Sequence, residues 1–304
     1  MGNKSHYQVV SKRKVYKHAI FNKNMTANIR LVESYTNNEK TKKEIEKLSY
    51  VFRTIDDPMI QFGLEGLTTL DDFEFSKGLY MVVGGFASQS YLPEKLRRPT
   101  ADIDVLVGRP LNNEDFKLFI KPVIEFFRDN GYQTITKKHH QTFCIRLSKD
   151  KDKILIEFPR RNLKNFKNCE KRILRELENA RMKSLSIKDG SYYRVSSPED
   201  IILPKLVRLL NAHERGIKFK RGSPSELMNY LEDLREEAIY HLGNNEFAVS
   251  LKINADAYDI LVLYSHAGIN LNYFLQAAQD WNSLKKRDKE KEEIINYLLP
   301  GISI

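Results

Sequence analysis

The stretch Met81 to Val107, "MVVGGFASQSYLPEKLRRPTADIDVLV", constrains this chain more than any other. "GLYMVVGG" reads as a buried strand ending in a glycine turn, "FASQSYL" opens a helix, and "ADIDVLV" is a second apolar strand. Residues i and i+2 of a strand share a face, so Asp102 and Asp104 project side by side while Ile103 and Val105 enter the core. Two carboxylates held that close repel one another unless a cation sits between them. A third acid comes from "KILIEFP", in which Glu157 shares a face with Lys153 and Leu155. An acid in an otherwise apolar strand is costly unless it is paired or bound to metal.

This pattern points to phosphate chemistry. Mg²⁺, with Mn²⁺ as an alternative, takes oxygen ligands from one or two carboxylates together with substrate phosphates. Gly84 and Gly85 let backbone N–H groups approach a phosphate at a helix start. Ser88, or failing that Ser90, can add a hydroxyl. The expectation is a nucleoside triphosphate held by its phosphates with two metals at the α-phosphorus, the layout of in-line transfer. Glu157 is the candidate base.

Around this centre the chain divides into three parts. Residues 1–75 are polar and turn-rich, with one helix expected over "NEKTKKEIEKLSYVFRTI", where Ile45, Leu48 and Phe52 recur at helical spacing. Residues 76–195 form a mixed α/β core. "NNEDFKLFIKPVIEFFRDNGY" reads as one helix, followed by strands in "YQTITKK", "TFCIRLS" and "KILIEFP", the last two a hairpin around "SKDKDK". "NCEKRILRELENA" reads as a helix and "YYRV" as a last strand. From residue 196 to 304 the pattern is helical, and "SPED" and "SPSE" both carry helix-start chemistry. The mixed-sign charge run from Lys285 to Glu293 reads as a solvated helical face.

With 304 residues, 41% hydrophobic and 30% charged, the composition is that of a soluble globular protein. No apolar run approaches the ~20 residues that span a bilayer, and the first residues carry no signal-peptide pattern. Two cysteines, Cys144 and Cys169, make no disulfide framework, so a reducing cytoplasm is the expected compartment. His139 and His140, adjacent on a strand, point to opposite faces and read as surface histidines. Between Lys151 and Arg221 stand 19 Lys plus Arg against 9 Asp plus Glu, which carries the whole net charge of +10. Such clustering favours a polyanionic partner.

"VVGGFAS…RRPTADIDVLV" resembles the signature of the nucleotidyltransferase (polymerase-beta-like) superfamily. Within it, "RPTADID" resembles the Arg-x-Ser/Thr-x-Asp-Ile-Asp run of AbiEii/MenA-type toxin nucleotidyltransferases, and "SPEDIILPKLVRLL" resembles that group's Pro-Glu-Asp…Lys-Leu helix. The resemblance covers about residues 78–210. It implies an α+β fold with a mixed sheet, flanking helices and a helical C-terminal domain, and Mg²⁺-dependent transfer of a nucleoside monophosphate. It makes Asp102, Asp104 and Glu157 metal ligands, Gly84 and Gly85 the phosphate turn, and Lys205 a triphosphate contact. Arg98 and Thr100 hold the turn that presents the aspartates, or touch phosphate. The basic stretch from Lys151 to Arg221 makes an RNA acceptor such as tRNA the expectation, and the toxin resemblance adds a cognate antitoxin as protein partner. The alternatives are an idle binding protein of the same fold and a small-molecule (antibiotic) nucleotidyltransferase.

The chain departs from the pattern in places. Sixteen residues separate Gly85 from Asp102, which implies a longer helix or an inserted turn. In the second half Glu226 is the stand-in for the group's acidic run, with Asn229 in the other acidic place. The Arg-Asp of CCA-adding enzymes is missing after the glycines, and the Trp-Ala-x-Asp of antibiotic-modifying relatives is reduced to "FASQ".

Overall fold

The computed structural model describes residues 52–138, 142–149, 152–240, 245–285 and 288–302. The helix expected in the N-terminal part lies, up to residue 51, outside them, as do His139, His140 and part of the charge run after Lys285. Residues 52–57 are not helical. Arg53 instead forms an isolated antiparallel bridge with Thr100.

The fold is α+β, built on a mixed seven-stranded sheet in the order β3-β4-β5-β2-β1-β7-β6. The strands are β1 (Tyr80–Val83), β2 (Ile103–Val107), β3 (Gln133–Lys138), β4 (Thr142–Lys149), β5 (Asp152–Pro159), β6 (Arg181–Ser184) and β7 (Tyr192–Val195). β2 lies antiparallel to β1 and parallel to β5, and β1 is parallel to β7. Strands β3, β4 and β5 form an antiparallel meander.

One face of the sheet carries the large core. Helix α1 (Pro58–Thr68) begins where the Asp57 side chain accepts from Met59 N and Pro58 fills the first turn. It buries Ile60, Leu64 and Leu67 in the same cluster as Val82, Ile103, Val105 and Ile156. Between β1 and β2 lies α2 (Gly84–Gln89), and a 3₁₀ turn over Glu94–Leu96 takes up the rest of the long connection. The sixteen-residue gap is therefore an inserted turn and not a longer helix.

The expected single helix after Asn112 is two, α3 (Asn113–Phe119) and α4 (Lys121–Asp129). Pro122 has no N–H to give to the preceding turn and restricts Lys121, so the chain breaks at Ile120. Asn112 caps α3 by accepting from Glu114 N and Asp115 N. Phe127 on α4 is fully buried among the rings of Phe62, Phe126 and Tyr132.

The opposite face is covered by α5 (Leu163–Lys167) and α6 (Glu170–Glu178), whose Phe166, Ile173 and Leu177 pack on Met81 and Leu106. The C-terminal part consists of α7 (Pro198–His213), α8 (Pro224–Tyr240), α9 (Asn245–His266), α10 (Leu271–Ala278), α11 (Asn282–Lys285) and α12 (Lys289–Leu298). Residues of α7 and α9 belong to the same apolar cluster as the sheet. No helix among the described residues is long and apolar enough to cross a membrane.

Phe127→Ala removes a ring that no neighbour can replace, and is expected to destabilise the fold by about 3–5 kcal/mol in urea unfolding.

Candidate active site

The centre of the sheet brings three acids together. Asp104 pairs across the parallel β2–β5 ladder with Glu157, and across β1–β2 with Val83, the residue before the glycine turn. Asp102 stands two residues earlier on the same face. Ligand oxygens of Asp102, Asp104 and Glu157 all lie within 4.8 Å of one another. Gly84 has φ 73°, and a Cβ there would run into the Asp104 carboxylate, so only glycine admits that side chain. A Cβ on Gly85 would meet Thr100 Oγ1 at 2.9 Å. Thr100, bridged to Arg53, gives a hydrogen bond to Asp102.

Burial loads all three carboxyls toward the protonated form, and repulsion by a neighbouring acid adds to it at Asp104 and Glu157. Burial raises Asp102, against the pull of Lys252 and Arg98. Burial and then Asp102 push Asp104 up to about 7. Burial and then both aspartates push Glu157 up to about 9. Glu157 is 2% exposed, and its Oε2 is buried with no hydrogen-bond partner among the described residues. Its Oε1 accepts from the Cys144 thiol at 3.7 Å. Three hard oxygen donors with one buried lone pair unmet fit a hard divalent cation, which would supply the charge they lack.

Facing them is a set of cations, of which Arg98 and Lys205 are buried and Arg208 and Lys252 partly exposed. Arg98, in the loop before β2, donates to both oxygens of Asp259 at 2.7 and 2.6 Å. Lys205 on α7 donates to Asp256 at 3.1 Å and to Asp259 at 2.7 Å. Arg208 grips Asp256 with two bonds, 2.8 and 2.9 Å. Burial alone would raise both aspartates. Arg208 and Lys205 around Asp256, and Arg98 and Lys205 around Asp259, outweigh it and hold them below the usual carboxylate range. Lys252, one turn before Asp256 on α9, is lowered by burial, and its charge acts on Asp102, Asp104 and Glu157. Among the described residues no hydrogen bond or ion pair ties its ammonium.

The residues expected from sequence thus separate into two groups. Asp102, Asp104, Glu157, Gly84, Gly85 and Thr100 meet in one place. Arg98 and Lys205 lie beside it with their charged ends committed to Asp259 and Asp256. Ser88 is buried, its hydroxyl within reach of Gly84 O at 3.1 Å and Asp259 Oδ2 at 3.4 Å. Glu226 is exposed and closes the start of α8 by accepting from Ser223 N and Oγ, at 2.8 and 2.7 Å. The acids of the helical half that are buried and paired beside the triad are Asp256 and Asp259, to which the sequence alone assigns no chemistry. Their signal was present: two acids three apart inside the apolar run "NADAYDILVL" are as costly unpaired as the aspartates of β2. Arg208 and Lys252 carried no comparable mark.

No family model matches the sequence, and no curated protein matches it. Among solved structures the chain is similar to the Vibrio cholerae cyclic AMP-GMP synthase DncV in complex with the linear intermediate 5′ pppA(3′,5′)pG. The likeness has a TM-score of 0.24 and 13% identity, and covers 96% of this chain and 90% of that one. A TM-score at that level carries no argument about fold or function.

Carboxyls raised in the folded chain hold protons that the unfolded chain has already released, so stability falls as pH rises between the two values. In chelator, Glu157→Gln is expected to gain stability relative to wild type as pH climbs from 4.5 toward about 9, read from urea unfolding at stepped pH. Asp259→Ala leaves Arg98 buried without its carboxylate, and is expected to cost about 3–5 kcal/mol in the same assay.

Proposed function

We propose that this chain is a metal-dependent nucleotidyltransferase of the polymerase-beta-like kind, moving a nucleoside monophosphate from a triphosphate to an acceptor hydroxyl. One observation carries the reading: a triad of mutually repelling carboxylates stands opposite cations that outnumber their own acidic partners. Asp102, Asp104 and Glu157 would hold the divalent ion, Mg²⁺ by preference and Mn²⁺ as the alternative. Bound there, such ions stabilise charge on the attacking and leaving oxygens of an in-line displacement.

The chain's own residues do the rest. Gly84 and Gly85 let the Asp104 carboxylate and Thr100 close against the backbone, and a phosphate would reach the acids through the divalent ion they hold. Lys252, with no hydrogen bond or ion pair among the described residues, would meet that phosphate, while Lys205 and Arg98 keep Asp256 and Asp259 satisfied and so hold the loop before β2. The buried surroundings strengthen each of these interactions relative to water.

An RNA acceptor is the finer part of the proposal. Lys164, Lys167 and Lys171 are exposed on α5 and α6. These two helices pack on the sheet face to which Asp104 also belongs, through Met81 and Leu106. Exposed lysines on the helices that cover that face suit a partner with a phosphate backbone.

The test incubates the full chain with each α-labelled triphosphate, Mg²⁺ and total RNA. Label should enter RNA with the wild type and fall at least roughly a thousandfold with Asp104→Ala, the scale of losing a transition-state charge contact. Lys252→Ala should raise KM for the triphosphate roughly ten- to hundredfold, what a lost charged hydrogen bond of about 1.5–3 kcal/mol costs. No transfer to any acceptor, with no Mg²⁺-dependent nucleotide binding, would overturn the reading.

A further inference from the structure

The Glu157 carboxylate has two oxygens in different circumstances. Oε2 is buried with no hydrogen-bond partner, whereas Oε1 lies 3.7 Å from Cys144 Sγ. Cys144 and Glu157 are directly opposite in the β4–β5 ladder, so their side chains leave the sheet on the same face as neighbours. The thiol is itself 1% exposed, with Thr142 Oγ1 at 3.9 Å on its other side. A carboxylate on a strand can turn about its last bond and offer either oxygen to an ion. Here the thiol occupies one of them.

We propose that Cys144 is a positioning residue for the metal centre. Its S–H donates to Glu157 Oε1 and turns Oε2 toward Asp102 and Asp104, so that Glu157 ligates through one oxygen. Outer partners of this sort fix the orientation of a ligand and strengthen metal binding without touching the ion. The choice of cysteine follows from burial. A thiol is content in an apolar strand environment when its bond is weak, whereas a hydroxyl there demands a full partner. The inference rests on the metal reading of the same three acids.

The alternative role for a buried cysteine is packing, and substitutions separate the two with opposite signs. Valine fills the volume without a donor, and serine keeps a donor but packs worse. Mn²⁺ affinity of the full chain is measured by the loss of free-ion electron paramagnetic resonance signal, with a thermal melt on every variant. Cys144→Val should weaken Mn²⁺ roughly tenfold, the lower end of what losing a ligand's outer partner costs. Cys144→Ser should stay within about twofold of wild type. Cys144→Ala, with the same expectation as valine, serves if valine prevents folding. Wild-type affinity in the valine or alanine variant, or serine as weak as valine, overturns the proposal while the metal centre stands. Mn²⁺ binding absent from the wild type, or unchanged in Asp104→Ala, overturns both.

Discussion

Repulsion among Asp102, Asp104 and Glu157 governs this molecule's centre. β2 is flanked on both sides, by β1 and β5, so the Asp104 backbone has no room to relieve the strain by shifting. A one-residue slip would put Ile103 and Val105 into the acidic recess and the aspartates into the core, and the apolar packing on the far face forbids it. Gly84 then removes the last freedom by letting the Asp104 carboxylate rest where a Cβ would otherwise stand. The sheet thus holds charge together by force of packing. Held so, Asp104 and Glu157 keep their protons to higher pH than free carboxyls do.

That constraint explains why the helical half is not an appendage. Asp256 and Asp259 on α9 are 0% and 1% exposed and receive Arg98 from the β2 approach and Lys205 and Arg208 from α7. Removing one partner from such a network strands a buried charge, which is costly, while the intact network adds little net stability. Its worth lies in geometry. Arg98 is four residues from Asp102, so docking α9 sets the loop that delivers the aspartates. Thr100 and Gln89 fasten the same loop from the other side, Thr100 through Arg53 and Gln89 through its bond to Arg98 O.

Much of this was legible from the chain because the relevant rules are local. Strand alternation placed Asp102, Asp104 and Glu157 on one face, and the glycine pair marked the close approach beside them. The mixed α+β order and the helical second half followed from the same periodicities. What was hidden depended on partners distant in sequence. Strand β6, "RMKS", has no apolar pattern because it is an exposed edge. The split between α3 and α4 hung on Pro122, which the continuous run of aromatic residues masked. Glu226 looked like a site acid because its place in the chain suited one, yet its carboxylate is used by the cap of its own helix. Asp256 and Asp259 showed their cost in the sequence but not their creditors, since Arg98 and Lys205 lie 161 and 54 residues from Asp259.

The comparison of Lys205 with Lys252 shows how partners decide function between residues of one type. Both are lysines on helices beside the acids, and sequence alone favoured Lys205 because of the motif around it. Lys205 is 1% exposed and already bonded to two carboxylates. For it to swing to a phosphate, Asp256 and Asp259 would each lose a buried cation, and the gain at the phosphate would be spent on that loss. Lys252 has burial against it and no such commitment among the described residues, while Asp256 and Asp104 favour its charge from a distance. On the proposed reading, a triphosphate would be met by Lys252 at less cost than by Lys205. The Lys252 charge already draws the three acids toward ionisation, yet burial and their mutual repulsion outweigh it at Asp104 and Glu157, so on the proposed reading a metal-bound phosphate would add charge that both sides can use.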